Sequence, residues 1–180
     1  MPPPGMIAVL LVLILIAAIS DILYRRIPNW LTISGMLSGI GLNAFLHPLW
    51  PGMKLSLLGF AAAFMVYFVL FAIRATSAGD VKLMAAIGAM VGWQDWIAIF
   101  AITAVLGGIF AVLFSIAQKR LQKTLRNVGF ILGELGHGRL AYLSNEELDV
   151  TSSKGLRAPH GAIIAIGTVM FLALMSFQAE

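Results

Sequence analysis

The sequence predicts an all-α membrane protein, a polytopic bundle of about six transmembrane helices. Three observations carry that expectation. Hydrophobic residues make up 60% of the 180-residue chain and charged residues only 11%, less than half of the ~25% typical of soluble domains. The apolar residues gather into runs near the ~20 residues that a helix needs to cross a bilayer. The basic residues cluster at the ends of those runs. A soluble chain this short leaves too much of its surface in water to hide such a composition, so lipid must be the solvent for much of it.

Long apolar segments run over about 6–23, 30–46, 55–73, 97–117 and 161–177. A shorter one, 81–93, ends at Trp93 and Trp96, side chains suited to a membrane interface. It is read as a sixth, short span, with a re-entrant or tilted helix as the alternative. Residues 1–180 read as a single membrane domain without internal repeats, its polar part a loop over 118–159. The first residues lack a basic n-region and no small-x-small site follows the first run, which is therefore expected to be a retained helix.

Placing the amino terminus outside puts eleven of the twelve Lys and Arg residues inside, with Lys54 alone outside. That is the sense of the positive-inside rule, and it places both termini outside and the 118–159 loop in the cytoplasm. The same rule explains the net charge of +4 without nucleic acid, since the basic residues border apolar runs and form no stripe on a soluble face. The segment 118–126 is expected to lie along anionic lipid headgroups. With no cysteine, disulfides, thiolate metal sites and cysteine nucleophiles are excluded. His47, His137 and His160 are scattered, and no phosphate loop, Ser–His–Asp arrangement or H-E-x-x-H is present, so neither a metal nor a cofactor is expected.

Among the acids, Asp21 and Asp80 alone fall at the cytoplasmic edge of apolar spans, where ionisable groups are costly and mark function. Asp21 lies 15 residues beyond Met6 and Asp80 13 residues before Trp93, about 22 and 20 Å along a helix. Both distances fall short of the ~30 Å hydrocarbon core, so the two carboxyls are expected at one depth, from different helices. Two close carboxylates do not both ionise easily; they share a proton and titrate as a pair. The ionised member can deprotonate a water while the protonated one hydrogen-bonds a scissile carbonyl, which hydrolyses an amide without metal or nucleophilic side chain. Each acid also has a plainer reading. Asp80 would serve as a helix N-cap, and Asp21, one turn before Arg25, would form an i,i+4 ion pair.

Two segments sharpen this. Asp21-Ile22-Leu23-Tyr24-Arg25-Arg26-Ile27-Pro28-Asn29 resembles the D-x5-I-P-N signature of the type IV prepilin peptidases, and Ser77-Ala78-Gly79-Asp80-Val81-Lys82-Leu83 resembles their G-x-G-D-x-K-L segment. Pro159-His160-Gly161 is a weaker likeness to the family's P-aromatic-G segment. The resemblance covers about 20–175. It implies a helical bundle of the GxGD aspartyl-protease class in the bacterial inner membrane, with Asp21 and Asp80 as the catalytic pair. It also implies prepilin or pseudopilin substrates, cut at the cytoplasmic face just after a short basic leader. The short chain looks most like the branch serving Flp-type, tight-adherence pili. Two departures stand out. Ser77 replaces the first motif glycine, and the cysteine-bearing amino-terminal region associated with N-methyltransferase activity is missing.

Supporting roles follow. Gly79 would let a substrate backbone approach beside Asp80, unless it is only a loop glycine. Lys82 would lower the charge cost at the pair or meet a substrate glutamate, with snorkelling to headgroups as the alternative. Pro28 and Asn29 would break and restart a helix, fixing the turn after Asp21, with Asn29 as an N-cap. His160 reads as a loop histidine, and Gly35 with Gly39 as a small-residue packing face. Two other functions compete with peptidase activity. One is a small proton-coupled transporter, which lacks a visible inverted repeat and midplane acids. The other is a non-catalytic assembly factor of a pilus or secretion system.

Overall fold

Prolines set most of the helix starts. In the computed structural model, α1 (Pro4–Tyr24), α2 (Asn29–Leu46) and α3 (Leu49–Ala72) follow Pro3, Pro28 and Pro48. α5 (His160–Phe177) follows Pro159. Proline fixes φ and lacks an N–H, so it suits the position where the first helical donors have no partner anyway. α4 (Ala78–Ala117) instead starts from a capping serine, Ser77. The structure describes residues 3–119 and 159–177 with a few positions between (122, 126, 127, 129, 130 and 133). The expectations for most of the 118–159 loop, including Arg139, Lys154, Arg157 and His137, lie outside the described residues.

α3 begins six residues before the expected boundary at 55. Pro51 falls in its first turn, where a missing N–H removes no helical bond. Among the described residues, four helices, α1, α3, α4 and α5, are long and apolar enough to cross a membrane. Side chains such as Val12, Leu15, Met65 and Val105 are at least 57% exposed in mid-helix, an arrangement suited to lipid. The chain is thus an all-helical, multi-pass membrane protein.

α4 is too long for one crossing: 40 residues would span about 60 Å. It breaks at Gly92, whose φ of 82° and ψ of 169° lie outside the helical region and where glycine carries no Cβ penalty. The chain then doubles back along α3. Before the break, Gly88 meets Gly59, each so close that a Cβ on either would overlap the other's carbonyl. After the break, the Phe100 ring lies edge-on to Tyr67, 5.9 Å between centroids, two turns back along α3. The short and long segments anticipated over 81–93 and 97–117 are therefore two antiparallel limbs of one broken helix.

The break leaves the last carbonyls of the first limb without helical donors, and they are buried. Asn43 of α2 and Ser56 of α3 supply the replacements. The Asn43 amide donates to the Ala89 and Met90 carbonyls at 3.1 and 3.0 Å, and the Ser56 hydroxyl lies 2.8 Å from the Ala89 carbonyl. Both side chains are at most 1% exposed. Close approach makes this possible: a Cβ at Gly39 would come within 2.8 Å of the Ala89 backbone. Gly39 thus packs as anticipated, while Gly35 faces the Leu13 side chain of α1.

The first limb forms the centre of the bundle, with Leu83, Met84, Ile87 and Met90 at most 1% exposed. Trp96 was expected at an interface but is buried, its ring stacked on Phe100 at 5.5 Å. It lies one turn past the break and faces inward, while Trp93 stays 42% exposed. Thr103 of the second limb packs on Gly167 of α5, and Gly107 faces His160 and Ile163. α5 therefore runs antiparallel to that limb, which brings its amino end beside the carboxyl end of α1.

Candidate active site

The start of α4 organises one half of the site through purely local contacts. Ser77 and Asp80 form a capping box, in which the Ser77 hydroxyl accepts from the Asp80 N–H at 3.3 Å and the Asp80 carboxylate accepts from the Ser77 N–H at 3.2 Å. Such a box satisfies donors that the first turn leaves unpaired. The Ser77 hydroxyl also donates to Asp80 Oδ2 at 2.8 Å, and Thr76 donates to the same oxygen at 3.0 Å. Asp80 is therefore at the third helical position and not the N-cap itself, and it is only 4% exposed. The serine standing where a glycine was expected is the residue that locks its rotamer.

The second half is assembled from a distance. Asp21, 9% exposed on the last turn of α1, accepts the Gly161 N–H at 2.8 Å through Oδ2, and the Ala162 N–H adds to this interaction. These are the unpaired first-turn donors of α5, so Asp21 caps a helix 140 residues away. Its carboxyl is turned to α5, while the Arg25 N–H bonds the Asp21 carbonyl at 2.9 Å and the Arg25 charge acts on the carboxyl as the i,i+4 reading expects. Arg25 itself takes the left-handed conformation that ends α1.

Ile27 joins the two halves. A Cβ built at Gly161 would meet Asp21 Cβ and Oδ2 and Ile27 Cδ1, each at 3.1 Å. A Cβ at Gly79 would meet Ile27 at 3.4 Å, an ordinary contact. The same side chain thus touches the positions beside both aspartates, and the Asp80 charge acts on Asp21. Each carboxylate also lies at a helix amino end, where the macrodipole favours negative charge.

Pro28 caps α2, and Asn29 is its first residue, not its N-cap. That frees the Asn29 side chain to accept from Lys82 Nζ at 2.8 Å, a bond that holds the α1–α2 turn against the first turn of α4. Beside it opens a cleft of about 580 Å³ lined by Tyr24, Arg26, Ile27, Asn29, Gly79 and Lys82, among others. Asp21, Asp80, Gly79, Lys82, Pro28 and Asn29 therefore all gather at one end of the bundle. His160 opens α5 there, its ring near Gly107.

The family model of the type IV leader peptidases matches residues 8–112. The chain belongs to that family. The match covers more than half of the sequence, including both aspartate segments, the first limb of α4 and most of the second. No curated protein and no solved structure matches the chain. Family membership makes it a membrane peptidase.

Sequence reasoning passed over three residues near the site. Gly161 lay in the weakest of the three segments, and nothing in its own neighbourhood pointed to Asp21. Thr76 was readable as a second hydroxyl ahead of the capping box. Tyr67, 3% exposed, lies within reach of the Asp80 charge; its signal was a lone hydroxyl in the apolar half of α3.

Proposed function

We propose that this leader peptidase is an aspartyl enzyme, with Asp21 and Asp80 as its catalytic pair. The observation that carries the reading is their convergence: two buried carboxylates from different helices, at one end of the bundle, coupled electrostatically. One carboxylate takes a proton from a water as that water attacks the scissile carbonyl carbon. The other, protonated, hydrogen-bonds the carbonyl oxygen and then surrenders its proton to it. The resulting tetrahedral diol collapses: the C–N bond breaks, the first carboxyl gives its proton to the leaving amine, and one diol hydroxyl returns its proton to the second carboxylate as the C=O re-forms.

The substrates on this reading are prepilins or pseudopilins, whose short basic leader is removed at the cytoplasmic face of the bacterial inner membrane. Sidedness is supported by the basic residues at the site end. Arg25, Arg74 and Lys119, close to where α1, α3 and α4 finish, all take the left-handed conformation, and cations complement helix carboxyl ends as well as the cytoplasmic leaflet. The cleft would receive the peptide, with Gly79 allowing backbone approach and Lys82 and Asn29 fixing the rim. The chain, without cysteines, fits the short Flp-type branch and cleaves without methyl transfer.

Co-expression with a small prepilin tests the reading, scored by gel shift and amino-terminal sequencing of the product. Asp21→Asn and Asp80→Asn are each expected to lower cleavage by about 10³-fold or more while the protein still inserts. Normal processing by either variant sinks the aspartyl mechanism.

A further inference from the structure

Thr76 and Ser77 hold only one oxygen of Asp80, Oδ2, whereas a carboxylate offers about four acceptor sites. Of the elements packed on the first limb of α4, α2 brings Asn29 to Lys82, while the site-end half of α3 carries a single polar side chain, Tyr67. Ala63 of α3 meets Gly88 of α4, which fixes the register of the antiparallel pair. Tyr67 lies one turn, about 6 Å, from Ala63 toward the site end, and Asp80 lies eight residues, about 12 Å, from Gly88 in the same direction. The axial gap of about 6 Å between them is comparable to the reach of a tyrosine side chain.

Two further observations point the same way. Tyr67 is 3% exposed, and its ring is pinned edge-on against Phe100, itself stacked on Trp96. The phenol is therefore fixed in place. The Asp80 charge is felt at that phenol. Packing against Phe100 needs only the ring and leaves the hydroxyl for a polar partner.

We propose that Tyr67 is a positioning residue of the peptidase, its hydroxyl supplying a further donor to the Asp80 carboxylate through one water. Thr76 and Ser77 fix the carboxyl from its own helix, and Tyr67 steadies it from α3. The inference rests on Asp80 being catalytic.

Purified wild-type protein, Tyr67→Phe, Phe100→Leu and Asp80→Asn, assayed in detergent on a prepilin substrate, test it. Tyr67→Phe keeps the ring and should insert and unfold thermally like wild type. Its kcat should fall about 10- to 100-fold, the range of a lost hydrogen bond to a charged group, with KM unchanged. Wild-type kcat in Tyr67→Phe, alongside inactive Asp80→Asn, overturns the inference and leaves the catalytic pair standing. A lowered unfolding temperature in Tyr67→Phe that matches the one in Phe100→Leu also overturns it by assigning the effect to packing. Cleavage by Asp80→Asn removes the catalytic pair and the inference with it.

Discussion

Asp21 and Asp80 both sit at helix amino ends, yet the two ends are built in opposite ways. At the start of α4, the donors to Asp80 come from residues three and four positions earlier in the chain. Among the described residues the start of α5 is preceded only by Pro159, which carries no side-chain acceptor, and its Gly161 N–H is satisfied by an aspartate 140 residues upstream. Asp80 is therefore oriented as soon as its own helix turn forms. Asp21 is oriented only when α1 and α5 dock, so its half of the site is as stable as that docking and no more.

The largest test of this contrast, beyond removing the aspartates, is Gly161→Ala. The added methyl would press on Asp21 and Ile27 at 3.1 Å, displacing the carboxyl by a few tenths of an ångström. Activity should fall about 10-fold or more, because misplacement by ~1 Å costs ~10²-fold, while thermal stability changes little. Full activity would mean that α5 does not set the Asp21 geometry.

A second comparison is with the far end of the bundle, where Asn43 satisfies buried carbonyls at the α4 break. Asn43→Ala should lower stability by about 1–3 kcal/mol, the cost of a buried unpaired polar group, measured by thermal denaturation in detergent. The kinetic constants of the folded fraction should stay near wild type. A selective loss of kcat would show that the break communicates with the site.

Ser77→Ala removes both the cap and a donor to Asp80, and should cost about 1 kcal/mol. Ser77→Gly restores the motif glycine and should lose only a few tenths as a cap. If orientation of Asp80 by the hydroxyl matters, both variants slow cleavage alike; recovery by glycine alone would show that only the cap counts. The smallest effect is expected from Gly79→Ala. Its methyl finds ordinary contacts in the free protein, so stability should hold and only KM should rise, by a few-fold, as backbone approach is hindered. An unchanged KM would remove Gly79 from the substrate path.

The readable parts of the site are those built from neighbours in sequence. Ser77 to Asp80 announces a capped helix start, and Asp21 to Asn29 a helix end and a restart, because capping and proline stereochemistry act over a few residues. Even there, geometry changed the roles: Asn29 is helical and bonded to Lys82, and Asp80 is the third residue of a capping box. Gly161 and Tyr67 gave no comparable signal. Their partners lie on other helices, and one glycine or one tyrosine in an apolar run has no local pattern to distinguish it.

By itself the sequence determined the solvent, the helical class and the end of the molecule at which charge collects, since hydropathy, proline and basic residues act through bilayer and backbone without reference to any fold. Only the tertiary structure decided that α4 doubles back at Gly92, that Trp96 turns inward, and that α5 lends Asp21 its donors. Those outcomes depend on how closely helix backbones approach and which buried carbonyls lack partners, quantities that exist only once the helices have packed.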